Sequence, residues 1–457
     1  MHSLFSNRLK PQKRRKINPA AIMALGFIAV ILLGTILLML PIATHDGVSV
    51  SFLTALFTAT SATCVTGLVV VDTATTWSLF GRIVILCMIQ IGGLGFMSIT
   101  TIFFFVMNSK ISLSQRLLIM QSLSLKDMQG VVRLIRHVLL GTFIFQGLGA
   151  LVLWISFYPT HGLWNGFGKG VFHAISAFCN AGFDLMGSTE TFSSLTLHLG
   201  DAVMKITVIL LVFIGSLGFF VWEDIWRNRR FKRLHLHSKM VLSVSVFLLV
   251  SGWIFFFFAE RTNPETIGNL PLHQAALASL FQSTMPRSAG LSMVNQASLT
   301  KASIMVTMLL MFIGGSAGST AGGIKNVTAA ILFLSAIRSL SGKKTLSVFG
   351  RTIPDQQVVS AISILVLAIS ACFVGTVAIS IFQPDLPIMS ILFEVVSAMA
   401  TCGLTLGITP YLLPPSKAII ILLMFLGRVG IMTIGMAAFL RHNKIEKTKY
   451  PDTWVMM

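Results

Sequence analysis

The chain has 457 residues, 54% of them hydrophobic and only 11% charged, with a mean hydropathy of +0.84 and a formal net charge of +19. Too few polar side chains remain to coat soluble domains, which excludes a water-soluble enzyme and a nucleic-acid-binding domain and indicates a polytopic membrane protein. Five cysteines without CxxC spacing (Cys64, Cys87, Cys179, Cys372, Cys402) suggest neither a disulfide framework nor a zinc site.

In chain order, a basic run from Arg8 to Lys16 precedes an apolar segment at 20–40 that is long enough to span and lacks a cleavage-site pattern, so it is expected to stay as the first helix. Further segments of spanning length lie at 83–107, 138–158, 203–222, 240–259, 303–337 (interrupted), 358–382 and 418–440. The expectation is an all-α protein of eight spans. Between the members of each pair lies a shorter apolar stretch ending at a glycine: LFTATSATCVTGL (56–68), VFHAISAFCNAGF (171–183), LFQSTMPRSAGL (280–291) and LFEVVSAMATCGL (392–404). Each is too short to cross as a helix, so each is expected to be re-entrant.

These four stretches are copies of one pattern. Phe57, Phe172 and Phe393 stand ten residues before Gly67, Gly182 and Gly403, and Ser61-Ala62, Ser176-Ala177 and Ser397-Ala398 stand six and five before them. The third copy, ending at Gly290, is one residue shorter after Phe281 and has Thr284-Met285 in place of Ser-Ala. The second spans align as well, Gln90-Ile91-Gly92-Gly93 matching Phe213-Ile214-Gly215-Ser216, Phe312-Ile313-Gly314-Gly315 and Phe425-Leu426-Gly427-Arg428. Small residues there also suit close helix packing. The period divides the chain into repeats at 1–108, 109–234, 235–345 and 346–457.

Most of the 34 lysines and arginines fall before the first span, after the second, fourth and sixth, and after the eighth, while Asp46, Asp72, Asp184, Glu190, Asp201, Glu265 and Asp385 fall on the other side. The positive-inside rule then makes both termini cytoplasmic. All four re-entrant stretches enter from outside in the same sense, which predicts pseudo-fourfold symmetry about one central pore rather than the inverted repeats of a rocking carrier.

Non-helical backbone at membrane depth is tolerated only where it is buried in protein or lines a watery cavity. The four loops, Val65-Thr66-Gly67, Asn180-Ala181-Gly182, Ser288-Ala289-Gly290 and Thr401-Cys402-Gly403, offer no ring of carboxylates. Their useful groups are backbone carbonyls, which substitute for the hydration shell of a monovalent cation, and glycine supplies the positive φ that aiming them needs. Asp72, just beyond the first loop, is placed either to concentrate cations at the mouth or as a solvated loop acid. Thr63, Thr66, Asn180, Ser288 and Thr401 are candidates to tune the loops or merely to brace their turns.

The motifs SATCVTGLVVVDT (61–73), IQIGGLGFM (89–97), HAISAFCNAGF (173–183), PRSAGL (286–291), GGSAGSTAGGIK (314–325) and LGRVG (426–430) resemble the membrane subunit of the Ktr potassium uptake systems, within the Trk/Ktr/HKT superfamily. The resemblance covers nearly the whole chain. It implies potassium uptake into a bacterium across the plasma membrane, with Gly67, Gly182, Gly290 and Gly403 as filter glycines. It brings frequent sodium dependence, and since some relatives with serine at the first glycine favour sodium, Gly67 points to potassium. It further implies a homodimer with one pore per protomer and a ring of cytoplasmic nucleotide-binding regulatory subunits. The basic stretch Arg227 to Lys239 suits an acidic partner or anionic lipid equally.

Gly314, Gly315, Ser316, Ala317, Gly318, Ser319, Thr320, Ala321, Gly322 and Gly323 form a run of poor helix propensity inside the sixth span, so that helix is expected to break. The resemblance implies that this loop is the gate. Lys325 closes it, as an interfacial anchor reaching toward the cytoplasm. Arg428 stands where the other repeats have Gly93, Ser216 and Gly315, and a charge at that depth is by default functional. It is expected to hydrogen-bond carbonyls of the loop. Arg287 and Glu394 are expected to pair across adjacent repeats. A sodium- or proton-coupled carrier is the alternative mechanism, disfavoured by the same-sense repeats and by Glu394 being the only acid at membrane depth. No catalytic constellation is present.

Overall fold

The computed structural model describes residues 19–95, 131–187, 192, 194–196 and 200–430. The basic N-terminal run, most of the loop after the second span, Glu190, the inner ends of spans 83–107 and 418–440 and the C-terminal tail lie outside the described residues.

The first unit comprises α1 (Pro19–Met39), α2 (Phe52–Thr63), a helical turn α3 (Thr73–Thr76) and α4 (Leu79–Leu94). The 21 apolar residues of α1 make about 30 Å of helix, the thickness of a bilayer core. Ser51 starts α2 by accepting the Thr54 N–H, so the chain turns back into the protein at a defined point. The second unit has α5 (Val131–His161), α6 (Leu163–Cys179), α7 (Ala202–Ser216) and α8 (Phe219–Asn228).

The third unit has α9 (Leu236–Glu260), α10 (Leu272–Thr284), α11 (Lys301–Phe312) and α12 (Asn326–Leu340). A small antiparallel hairpin, β1 (Leu346–Val348) with β2 (Arg351–Ile353), leads to α13 (Asp355–Phe382), α14 (Ile388–Met399) and α15 (Pro414–Val429). Pro271 and Pro387 stand immediately before α10 and α14, where a missing N–H costs nothing and the fixed φ starts the helix.

Among the described residues, α1, α5, α9 and α13 are long and apolar enough to cross a membrane. Leu33, Phe247 and Phe373 on these helices turn more than half of their surface outward, an arrangement suited to lipid rather than water. The four short helices α2, α6, α10 and α14 pack inside, with Phe57, Phe172, Phe281 and Phe393 all buried in one core. The chain is thus a helical membrane protein.

The second spans differ from expectation. Only the sixth was expected to break, yet α7 and α8 meet at 93°, so 203–222 is not one straight helix. The turn is made at Gly218, whose φ of +93° directly precedes α8. The aligned Gly95 and Gly430 end α4 and α15 with φ of +82° and +92°. Glycine enters that region without strain, and few other residues do.

Candidate functional site: a ring of four glycine loops

The short helices end at four loops of one geometry. Gly67, Gly182, Gly290 and Gly403 have φ of +91°, +72°, +67° and +96°, and Val65, Asn180, Ser288 and Thr401, two residues earlier in each loop, have φ of +57°, +59°, +73° and +47°. Left-handed valine, serine and threonine are costly, so the surrounding bonds must impose them.

Ser61 supplies those bonds in the first loop. Its carbonyl accepts the Thr66 N–H at 2.8 Å and its hydroxyl accepts the Gly67 N–H at 3.0 Å. Ser397 does the same in the fourth, holding Cys402 N at 2.9 Å and Gly403 N at 3.0 Å. Ser176 keeps the backbone bond to Ala181 N at 2.8 Å, but its hydroxyl donates to Phe183 O at 2.6 Å. The third loop, which lacks the serine, folds the N–H groups of Ala289 and Gly290 onto one carbonyl, Met285 O, at 3.0 and 3.2 Å.

The glycines close a ring in chain order. A Cβ on Gly67 would lie 2.5 Å from Ala181 O and 2.9 Å from the Cα of Gly182. One on Gly182 would lie 3.1 Å from Ala289 O, one on Gly290 2.2 Å from Cys402 O, and one on Gly403 2.2 Å from Thr66 O. Each glycine therefore abuts the carbonyl just before the next, and the fourth returns to the first. A second layer of glycines packs behind the loops. Cβ atoms on Gly92, Gly215 and Gly427 would meet Thr63 O, Phe178 O and Met399 O at 2.0, 2.1 and 2.2 Å, each four residues before its own loop glycine. Close packing accounts for these three positions.

The sequence profile of the TrkH family, described as cation transport protein, matches residues 2–448. This chain belongs to that family. TrkH-family members are cation transport proteins, not enzymes. The chain is 39% identical over 454 residues to the potassium/sodium uptake protein NtpJ of Enterococcus hirae, covering 98% of this chain and 99% of the relative. It is 38% identical to the Ktr system potassium uptake protein B of Bacillus subtilis, covering 96% of each. The crystal structure of the potassium transporter TrkH from Vibrio parahaemolyticus shares the fold with a TM-score of 0.74 at 16% identity, covering 94% of this chain and 86% of the other.

In this TrkH-family chain the run 314–323 lies directly against the ring. Between α11 and α12 it forms an irregular loop, its N–H groups of Ser316 and Thr320 bonded to Ser216 O (3.0 Å) and Gly215 O (3.3 Å) of the second unit. The Thr320 hydroxyl donates to Phe178 O at 3.2 Å, and the Gly322 N–H donates to the Ser288 hydroxyl at 2.9 Å. A cavity of about 120 Å³, bordered by Gly323, Lys325, Met399, Gly427 and Gly430, opens beside it. Arg428 reaches across from α15 and donates to the carbonyls of Thr320 and Gly92, and to Gly93 O at 3.3 Å. Its guanidinium thus bridges the loop to the first unit.

Three expectations are corrected. Arg287 and Glu394 form no ion pair. Arg287 donates to Ser245 O at 3.2 Å and Ser245 Oγ at 3.1 Å on its own first span, and Glu394 accepts the Thr409 hydroxyl behind its own loop. Each group bonds to its nearest neighbours instead of to the other, and Arg287 Nε and one Glu394 carboxylate oxygen have no protein partner. Lys325 does not reach outward but folds back onto Ala321 O at 2.9 Å, satisfying a carbonyl of the irregular loop. Asp72 is neither a mouth carboxylate nor solvated. It is buried, accepting the N–H groups of Ala74 (2.8 Å), Thr75 (3.0 Å) and Phe192 (2.9 Å) as a brace.

Of the side chains proposed to tune the loops, Thr63, Thr66 and Asn180 are buried with hydroxyl or amide atoms that have no protein partner. Cys179 lies beside the reciprocal amide pair of Gln90 and Gln146 (3.3 and 3.0 Å), and the Cys402 thiol donates to Pro286 O at 3.2 Å. The roles of Ser61 and Ser397 went unread in the sequence, although their fixed place six residues before a glycine was the available signal. Ser245 carried none.

Proposed function

We propose that the chain is the membrane subunit of a bacterial potassium uptake system and that the glycine ring is its selectivity filter. One observation carries this reading: four loops in matching register close a ring in which each glycine abuts the carbonyl before the next. Alternating positive φ lets successive carbonyls face a common side, and rings of carbonyls replace the water shell of a potassium ion. Orphaned polar atoms on Thr63, Thr66 and Asn180 beside the loops suit a place where ions and water supply the missing partners. The names of the relatives agree with cation uptake, NtpJ being a potassium/sodium uptake protein and the Ktr B protein a potassium uptake protein.

The repeat pattern supports four membrane-pore-membrane units with eight spans, α2, α6, α10 and α14 being the pore helices. Charge distribution supports cytoplasmic termini, and the 314–323 loop with Arg428 is read as the gate. A homodimer controlled by a cytoplasmic nucleotide-binding ring, with sodium as an activator, follows the Ktr resemblance. Expression in a bacterium lacking its potassium uptake systems should restore growth at limiting potassium. Failure to do so, with the protein present in the membrane and its regulatory subunit co-expressed, would refute the reading. Ser61→Ala and Ser397→Ala each remove one hydrogen bond of about 1 kcal/mol from a filter glycine. Each should lower the preference for potassium over sodium about fivefold in flux assays, while detergent-extracted yield stays at the wild-type level.

A further inference from the structure

We propose that Ser288 is a positioning residue that couples the filter to the gate loop, a role that rests on the filter and gate reading above. Its hydroxyl is fully buried and joins three segments. It donates to Thr401 O at 2.9 Å, with Ala400 O at 3.2 Å, and accepts the Gly322 N–H at 2.9 Å. One hydroxyl proton and one lone pair are thus shared between the fourth filter loop and the gate loop.

The third loop is the one that can take this part. It lacks the serine that ties Gly67 and Gly403 to their own pore helices, and Ser288 ties it sideways instead. At the same register the first loop has Val65, which has no polar group, and the second has Asn180, whose amide atoms have no protein partner. The fourth has Thr401, whose carbonyl Ser288 engages.

The consequence is mechanical and chemical together. While the gate loop holds Gly322 N–H on Ser288, the hydroxyl proton is directed at the Thr401 carbonyl and competes with a cation for that oxygen. When the loop moves away, the hydroxyl loses its donor and is free to rotate, and the Thr401 carbonyl is released for ion contact. Ion binding at the fourth loop and displacement of the gate loop therefore favour one another, as linkage requires.

Rubidium flux into proteoliposomes of the full chain tests this, using Ser288→Ala and Ser288→Gly. Both remove the hydroxyl, but only glycine suits the φ of +73°. Both should raise flux in the absence of any regulatory subunit about three- to tenfold, the worth of one lost restraint. Combined with Arg428→Ala, which is expected to free the same loop at another point, both should raise flux by less than the product of the two single effects. If glycine behaves as wild type and only alanine is impaired, Ser288 matters for backbone conformation alone and the proposal fails. It also fails if both variants leave flux unchanged, or if their effects multiply independently with that of Arg428→Ala. Absence of flux from the wild-type protein, alone and with its regulatory subunit, would instead overturn the functional reading beneath it.

Discussion

Alanine at Gly290 or Gly403 should abolish transport, lowering potassium flux by about two orders of magnitude, whereas Gly182→Ala should be the mildest of the four ring substitutions. The ranking follows from space. An added Cβ would meet the next loop's carbonyl at 2.2 Å from Gly290 or Gly403, at 2.5 Å from Gly67 and at 3.1 Å from Gly182. Every position also forces a side chain into positive φ, costing roughly 1–2 kcal/mol, and overpacking a tight site costs roughly 1–3 kcal/mol more. Together these amount to several tenfold steps. Flux normalised to protein reconstituted in vesicles checks the order. Equal effects at all four positions would show that φ, and not approach of the neighbouring loop, sets the penalty.

Arg428→Ala should act in the opposite direction, raising flux without the regulatory subunit about tenfold to a hundredfold. The guanidinium donates to Thr320 O in the 314–323 loop and to Gly92 and Gly93 in the first unit, and hydrogen bonds from a charged donor contribute roughly 1.5–3 kcal/mol each. Under the proposed gate reading, removing it frees the loop and takes a positive charge away from the proposed pore. Arg428→Lys keeps the charge but cannot reach both sides with a planar fork, so its flux should fall between alanine and wild type. Lysine indistinguishable from alanine would assign the whole effect to the bridge, and lysine equal to wild type would assign it to charge.

Much of the ring was legible before any coordinates, because the signal was periodic. Gly67, Gly182 and Gly403 recur with a serine six residues earlier, and periodicity survives where single-residue signals do not. Arg428 was legible for a different reason, as a charge in an aligned glycine position. What could not be read was whatever depended on which way a side chain turns. Arg287 and Glu394 were plausible partners by type and depth, but the choice between each other and Ser245 or Thr409 rests on a few ångströms of backbone placement. The break at Gly218 is hard to read because the two glycines and one serine of Phe213-Ile214-Gly215-Ser216-Leu217-Gly218 also suit close helix packing, the reading given to the aligned second spans. Lys325 departs from expectation because an isolated lysine near an interface usually extends, whereas an irregular loop offers it a carbonyl closer at hand.

The third quarter's lack of the Ser-Ala pair has an evolutionary consequence. An assembly of four copies of one gene must carry every change four times, so a substitution in one quarter would appear in all quarters at once. Joining the copies into one polypeptide removes that constraint. Two quarters here use that serine to hold the loop glycine, while the third has a shorter loop and a serine hydroxyl bonded to the 314–323 loop. Carrying the four stretches on one chain lets a single one of them change while the others keep their form.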